Sequence, residues 1–524
     1  MTRFPSFSSL SLWLAAAGCM LSSGANAQPQ ENTFRIRLNA DIRSTDPGVN
    51  RDANTDYVMA HLLEGLVAFK EDTTVGLLLA QSVNTSPDGK TYTFKLRPGL
   101  KFSNGAPLTA DDVVFSWNRY MKPETGWRCV TEFDGRSGLA KVLKIEAKDP
   151  LTVVYTLEKP AGLFLVTLAR GDCGGTGIYH KSSIGPDGKW LEPVGSGPFK
   201  MGTWKRGQYL ELLRNENYVA LPGKPDGNTG NKTPSVSKVR WVVVPDPSAA
   251  KAALLSGGLD LIFDAEPEDL GEYKSRKDVV VQTVPTMSQT GFIEQTRDPI
   301  LKDPRIRRAF AMSLDVPQIV DAVTNGTAKP SRSAIPTPSP YYTAVQADLP
   351  KRDLAGAKKL LAEAGYKGQP IKMQTTKRYA YLFTSAVMAQ AMAEEAGFKI
   401  DIEVLDWATL LDRYTRGDYQ MLAYSYSSRL DPSLSYEMFT GNRDKQPRKV
   451  WENPEAIDLI NQSMEVTDKA KRQPIFDKLE AKLREDASAV WLYCEVMNAA
   501  TRPYVKGYVG WPLGQPRAWS VTLK

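Results

Sequence analysis

Two kinds of hydrophobic spacing take turns along this chain. Ser86-Pro87-Asp88-Gly89 is a turn cluster, after which Tyr92, Phe94 and Leu96 alternate with Thr91, Thr93, Lys95 and Arg97. That period of two predicts a half-buried strand. Thr109-Ala110-Asp111-Asp112 then places a capping hydroxyl ahead of two acids, and Val113, Val114 and Trp117 supply the apolar face of a helix. Lys238–Val244 is rich in β-branched residues, Ser248–Ser256 is predicted helical up to Gly257-Gly258, and Leu259–Phe263 returns as a strand. The three form a βαβ-like unit. Asp303-Pro304 is a cap followed by proline, with Ile306, Ala309, Phe310 and Leu314 at helical spacing. Asp353 opens a further helix lined by Leu354, Ala357, Leu360, Leu361 and Ala364, and Gly365 closes it. Each of these stripes is assigned to core.

No repeat or low-complexity tether divides the chain. The loop-rich breaks, Leu221–Pro234 and Lys329–Pro340, are too short for linkers between separate beads. A chain of 524 residues is too long for one core, so a compact body of two or three lobes is expected.

The first residues carry an address. Arg3 is the only charge before Glu31, Leu10–Leu21 is apolar, and Ala25-Asn26-Ala27 offers a signal-peptidase site that leaves Gln28 as the mature N-terminus. An alternative is a lipid anchor at Cys19, because Ala16-Ala17-Gly18-Cys19 imitates a lipobox. No later stretch reaches the roughly 18 apolar residues of a membrane span. An exported, periplasmic protein is expected. Cleavage after Ala27 removes Arg3 and lowers the net charge of +7 by one. The remaining charge is spread along the chain without a basic run, which excludes a nucleic-acid partner.

Cleavage also leaves Cys129, Cys173 and Cys494, whose spacing fits no zinc pattern. In an oxidising compartment one disulfide and one odd thiol is the natural count. Cys129 and Cys173 both lie in glycine-containing loop stretches and are the candidate pair; three buried thiols is the alternative. Catalytic chemistry finds no support. There is no GxSxG elbow, HExxH, P-loop or GxGxxG. His61 and His180 are the only histidines: the first reads as packed in a helix, and the second could line a cleft. Ser235-Val236-Ser237-Lys238 matches SxxK but leads into a predicted strand, where the two side chains do not meet. The chain is therefore not expected to be an enzyme. An exported hydrolase or transpeptidase is the rival class, and a chemosensory or scaffold binding protein a third.

The block Ser82–Trp117 resembles the diagnostic segment of the bacterial dipeptide/oligopeptide/nickel-binding proteins, the extracytoplasmic solute-binding subunits of ABC importers. The resemblance continues through Val194–Tyr218, the βαβ unit ending at Pro267, Lys302–Asp315, Asp353–Tyr366 and Asp406–Met421, all in family order. It implies an α/β fold of the two-lobed periplasmic-binding-protein type, with a subdomain inserted in the first lobe and a ligand cleft between lobes. Residues 28–55, 195–264 and 496–524 then form the first lobe, 56–194 the insert and 265–495 the second lobe, following a leader at 1–27. Crossovers are expected at Glu266-Pro267 and near Cys494. A small-molecule or short-peptide ligand closes the lobes, inner-membrane permease subunits read the closure, and the protein is a monomer without a cofactor.

Peptide binders of the family anchor the peptide ammonium on an acid in a stretch that corresponds here to Tyr424–Pro432. Alignment on Asp431-Pro432 puts Ser428 at that place; alignment from Trp407 puts Arg429 there. Either way the acid is missing. A guanidinium grips a carboxylate or phosphate and repels an ammonium, which favours an anionic solute. The alternative is that Arg429 merely pairs with Asp431 or another local acid. The candidate ligand-binding set is Arg429, Trp407, Ser428, Tyr426, Tyr424 and Asp431, with Tyr436 adding aromatic surface. Nickel is disfavoured by the scarcity of histidine.

Overall fold

The alternating stretch folds as the strand Thr91–Leu96, with Tyr92, Phe94 and Leu96 buried and Lys95 exposed. The helix that follows spans Ala110–Tyr120 and buries Val113 and Trp117; Val114 is only half-buried, and Ser116 and Tyr120 complete the packed face. Asp112 accepts from the backbone N–H and hydroxyl of Thr109, which fixes the start of the helix. The other sequence signals act in the same places. Asp246 caps Pro247–Ser256, which stops at Gly257 with φ +82°, a value that glycine adopts without strain. Asp303 caps Pro304–Ser313, and Asp353 caps Leu354–Glu363.

The computed structural model describes residues 32–136, 139–466 and 468–524. The export signal, its cleavage after Ala27 and the alternative anchor at Cys19 lie outside these residues. Among the described residues no helix is long and apolar enough to cross a membrane.

A ten-stranded mixed sheet runs through the molecule. At one end, Thr33–Leu38 lies parallel to both Lys238–Val243 and Leu261–Ile262, so the N-terminal strand sits inside the βαβ unit. At the other end, Ile371–Thr375 pairs in parallel with Ile400–Val404 and Met421–Tyr426. Two long antiparallel strands, Val280–Glu294 and Ala489–Thr501, join the halves. A separate four-stranded antiparallel sheet, built from residues 80–157, shares the apolar core of the first half. Two further apolar clusters fill the second half.

At the expected first crossover, Glu266-Pro267, the packing continues on the same side. Leu270, Tyr273 and Val279 pack with Ala250, Leu254 and Leu259, so residues 267–279 still belong to the first half. The strand Val280–Glu294 follows, and its ladder shifts register between Pro285 and Gln289. Proline at 267 starts a short helical turn instead of a boundary. The return strand faces this irregularity with Cys494 and Val496, next to the second expected crossover. The final residues, including Trp511, Ala518 and Val521, rejoin the core of the first half.

Cys129 and Cys173 form a disulfide, and Cys494 is a buried free thiol.

Candidate functional site

Both halves contribute walls to a cavity of about 500 Å³. Its first wall comes from the helix Ala53–Met59, from the segments around Arg128 and Arg170–Gly175, and from Lys232. Its second wall comes from Ser288, Trp407 and the loop Ser427–Leu430 that follows the strand Met421–Tyr426. Volume and mixed lining are those of a small-ligand site.

Close backbone approach shapes the first wall. Gly174 and Gly175 have φ of +70° and +60°, and a Cβ on Gly65 would come within 2.2 Å of the Gly175 carbonyl oxygen. The disulfide ties this turn to the loop carrying Arg128. Asp172 sits between two guanidinium groups, 2.8 Å from Arg170 and 3.2 Å from Arg128. Burial works against its charge, but Arg170 and Arg128 hold its carboxyl well below the usual range. Arg51 pairs with Asp56, its Nε donating to Oδ1 at 3.0 Å. Lys232 pairs with Glu64 at 2.7 Å, each side chain about 1% exposed. Every one of these cations is thus in contact with a carboxylate, Arg128 and Arg170 sharing Asp172.

Arg429, on the opposite wall, has none among the described residues. Its Nη1 donates to the carbonyls of Ser427 and Ser428 at 3.1 Å and to Ser427 Oγ at 2.9 Å, and its Nη2 meets the Met438 thioether at 3.3 Å. Burial, followed by the Arg170 and Arg128 charges, pulls its pKa below the ordinary value, while Asp172 opposes them.

The structure separates the six candidate residues. Arg429, Ser428 and Trp407 line the cavity. Ser428 Oγ lies 3.1 Å from Ser288 Oγ on the same wall. Half-buried Trp407 stacks on Tyr424 at 5.9 Å and meets Tyr379 edge-on at 5.0 Å. Tyr424 stands behind it, buried and stacked on Tyr414, and Tyr426 lies deeper still, accepting from the Tyr414 hydroxyl. Both tyrosines support the wall without lining the cavity. Asp431 is corrected outright: it caps the helix Pro432–Glu437 and is held bidentately by Arg472 at 2.6 and 2.8 Å in the interior. Since Arg472 occupies that carboxylate, the pairing of Arg429 with Asp431 is overturned too. Tyr436 is buried and donates to Glu480.

Neither histidine reaches the cavity. His61 is packed among aromatic rings, and His180 caps the short turn Lys181–Ser183. Among the described residues no cluster of three metal-ligating side chains forms. Sequence reasoning missed Arg128, Arg170 and Asp172. Their signal was present, since Arg128 precedes Cys129 and Arg170-Gly171-Asp172 precedes Cys173.

Residues 74–447 match the family described as bacterial extracellular solute-binding proteins, family 5. The chain belongs to that family. This family-5 binding protein is 27% identical, over 93% of both chains, to the "Probable D,D-dipeptide-binding periplasmic protein DdpA" of Escherichia coli strain K12. Its fold is similar to that of the binding protein AgaA of A. tumefaciens R10, solved with agropinic acid (TM-score 0.76, 24% identity, 94% of this chain and 99% of that one). It is similar as well to the ABC transporter-associated periplasmic binding protein DppA of Helicobacter pylori, solved with the peptide STSA (TM-score 0.78, 24% identity, 94% and 98%). The two-lobed architecture with a cleft between the lobes is thus that of the family.

Proposed function

We propose that this protein is the periplasmic substrate-binding subunit of an ABC importer and captures a small carboxylate-bearing solute, delivering it without chemical change to a membrane permease. Arg429 carries the reading, being a guanidinium on the cavity wall without a carboxylate of its own. The Nε–Nη2 edge makes no contact beyond the weak one to Met438, and such an edge matches the two oxygens of a carboxylate. Trp407 offers an apolar face beside it. The names of the similar proteins support the same class: dipeptides, a tetrapeptide and agropinic acid all carry acidic groups.

The lobes close on the solute by bending where the two long strands lose register, at Pro285–Gln289 and Cys494–Val496. Residues 280–284 and 496–501 stay with the first lobe on this reading, and the mature protein acts as a monomer. Native mass spectrometry of the purified protein identifies co-purified solute, and a thermal-shift panel ranks solute classes. Solutes with a free carboxylate raise the melting temperature saturably, are recovered intact, and reduce the radius of gyration in small-angle scattering. Stabilisation only by solutes that lack a carboxylate, or consumption of the stabilising compound, rejects the proposal.

A further inference from the structure

The crossover strand beside the cavity carries a second side chain without a counter-ion among the described residues. Glu495, half-buried on the strand Ala489–Thr501, accepts three hydroxyl hydrogen bonds, all on Oε1. The donors are Thr290 at 3.1 Å, Tyr381 at 3.3 Å and Ser425. Its backbone carbonyl accepts from Thr286. Oε2 accepts from no group, yet it is not among the buried polar atoms left without a partner, so it keeps access to solvent. Among the described residues no lysine or arginine reaches the carboxylate. Tyr57, a cavity-wall residue of the first half, lies within electrostatic reach of it.

Three hydroxyl donors on one oxygen fix the carboxylate and leave the other oxygen presented. Burial raises the pKa of Glu495 and the three hydroxyls oppose that rise, a balance that a nearby cation would tip toward the charged form. Ser425, which holds Glu495, is four residues before Arg429. Even fully extended, that stretch spans no more than about 14 Å between Cα atoms. The Ser425 hydroxyl that holds Glu495 and the Arg429 backbone therefore lie on one short segment, and the electrostatic link to Tyr57 sets Glu495 beside the cavity that Arg429 lines.

We infer that Glu495 is the second polar anchor of the cleft and takes a protonated amine of the same solute whose carboxylate Arg429 holds, so that the protein selects zwitterions. This deepens the proposed function and rests on its reading of the cleft. It also restores an acid for an ammonium, supplied by the crossover strand instead of the loop Ser427–Leu430.

Trialanine in four forms tests it: amine free or acetylated, combined with carboxylate free or amidated. Calorimetry on the mature protein is expected to show acetylation weakening binding about tenfold or more. Glu495→Gln should weaken the free-amine members by a similar factor and leave the acetylated ones within about twofold. Equal affinity for free and acetylated members, equal weakening of both by the substitution, or no binding of any free-amine member overturns the inference. The acetylation comparison needs only unaltered protein, so a poorly folding variant does not blunt the test. Amidation reads Arg429 separately: equal binding of carboxylate and amide rejects the proposed function, whatever the amine comparison gives.

Discussion

Replacing Arg429 by alanine separates ligand recognition from support of the fold. In the free protein, Nη1 faces three oxygens, on Ser427 and Ser428, with two hydrogens to share. These contacts span one or two residues of a partly exposed loop, so their combined worth to stability is about 0.5–1 kcal/mol. The Nε–Nη2 edge instead meets a ligand carboxylate with charge-assisted bonds. Losing one such bond from a buried site costs roughly 1.5–3 kcal/mol, or about 10- to 150-fold in Kd. Titration calorimetry with trialanine and a thermal melt of the ligand-free protein are run on the same variant. Binding should fall by that factor while the melting temperature drops by no more than a few degrees. Arg429→Lys should recover part of the loss, because a point charge lacks the fork. A melt lowered substantially with affinity held within about twofold would refute the reasoning.

Asp431→Ala should behave the opposite way, stranding Arg472 in the interior at a cost of about 3–5 kcal/mol while affinity is unchanged; lost binding with an unaltered urea midpoint would contradict this. Replacing Cys129 and Cys173 together by serine opens a link across 44 residues and should cost about 4 kcal/mol, read by urea unfolding. It should also weaken trialanine binding by freeing Arg128 and Arg170, and unchanged affinity would show that the wall needs no tie. His61 donates from Nδ1 to the Tyr57 carbonyl and accepts from Ala518 N–H at Nε2, and burial lowers its pKa to about 3 from 6.5. The unfolded chain then binds a proton below pH 6.5 that the folded chain refuses until about pH 3. Stability is full above that window and falls by up to about 1.4 kcal/mol per pH unit on acidification; His61→Gln should flatten the slope, and an unchanged slope refutes the assignment.

Local physics made much of the fold legible. Tyr92, Phe94 and Leu96 point to one side because a strand has period two, and Asp246, Asp303 and Asp353 cap helices because their carboxylates need only the next turn. Partners far apart in sequence were not legible. Asp431 finds Arg472 some 41 residues later, which turned a candidate ligand residue into a structural one. Glu495 receives Ser425, Tyr381 and Thr290 from three other segments, and nothing around Glu495 in the sequence announces them. The packing beyond Glu266-Pro267 was hidden for a related reason. Proline after Glu266 is a visible break, whereas the packing of Leu270 and Tyr273 onto Ala250 and Leu254 exists only in three dimensions.

The charges of the cleft also bear on why solute should drive closure. A ligand shifts the open–closed balance only through contacts that differ between the two forms. Arg429 on the second wall faces Arg170 and Arg128 on the first, with Asp172 between them and Glu132 and Glu437 further offsetting their mutual repulsion. Asp172 is already shared between its own two arginines, so bringing the walls together around an empty cavity crowds three guanidinium groups into a partly dry space without a carboxylate in direct contact with Arg429 among the described residues. A solute carboxylate on Arg429 supplies the missing negative charge where the walls meet. It gains most when both walls surround it, because the interaction strengthens as water is excluded. An amine at Glu495 adds the same preference beside Tyr57 and the crossover strand. Affinity and closure then have one electrostatic origin: a solute lacking the carboxylate should bind weakly and also leave the radius of gyration unchanged at concentrations that saturate the site.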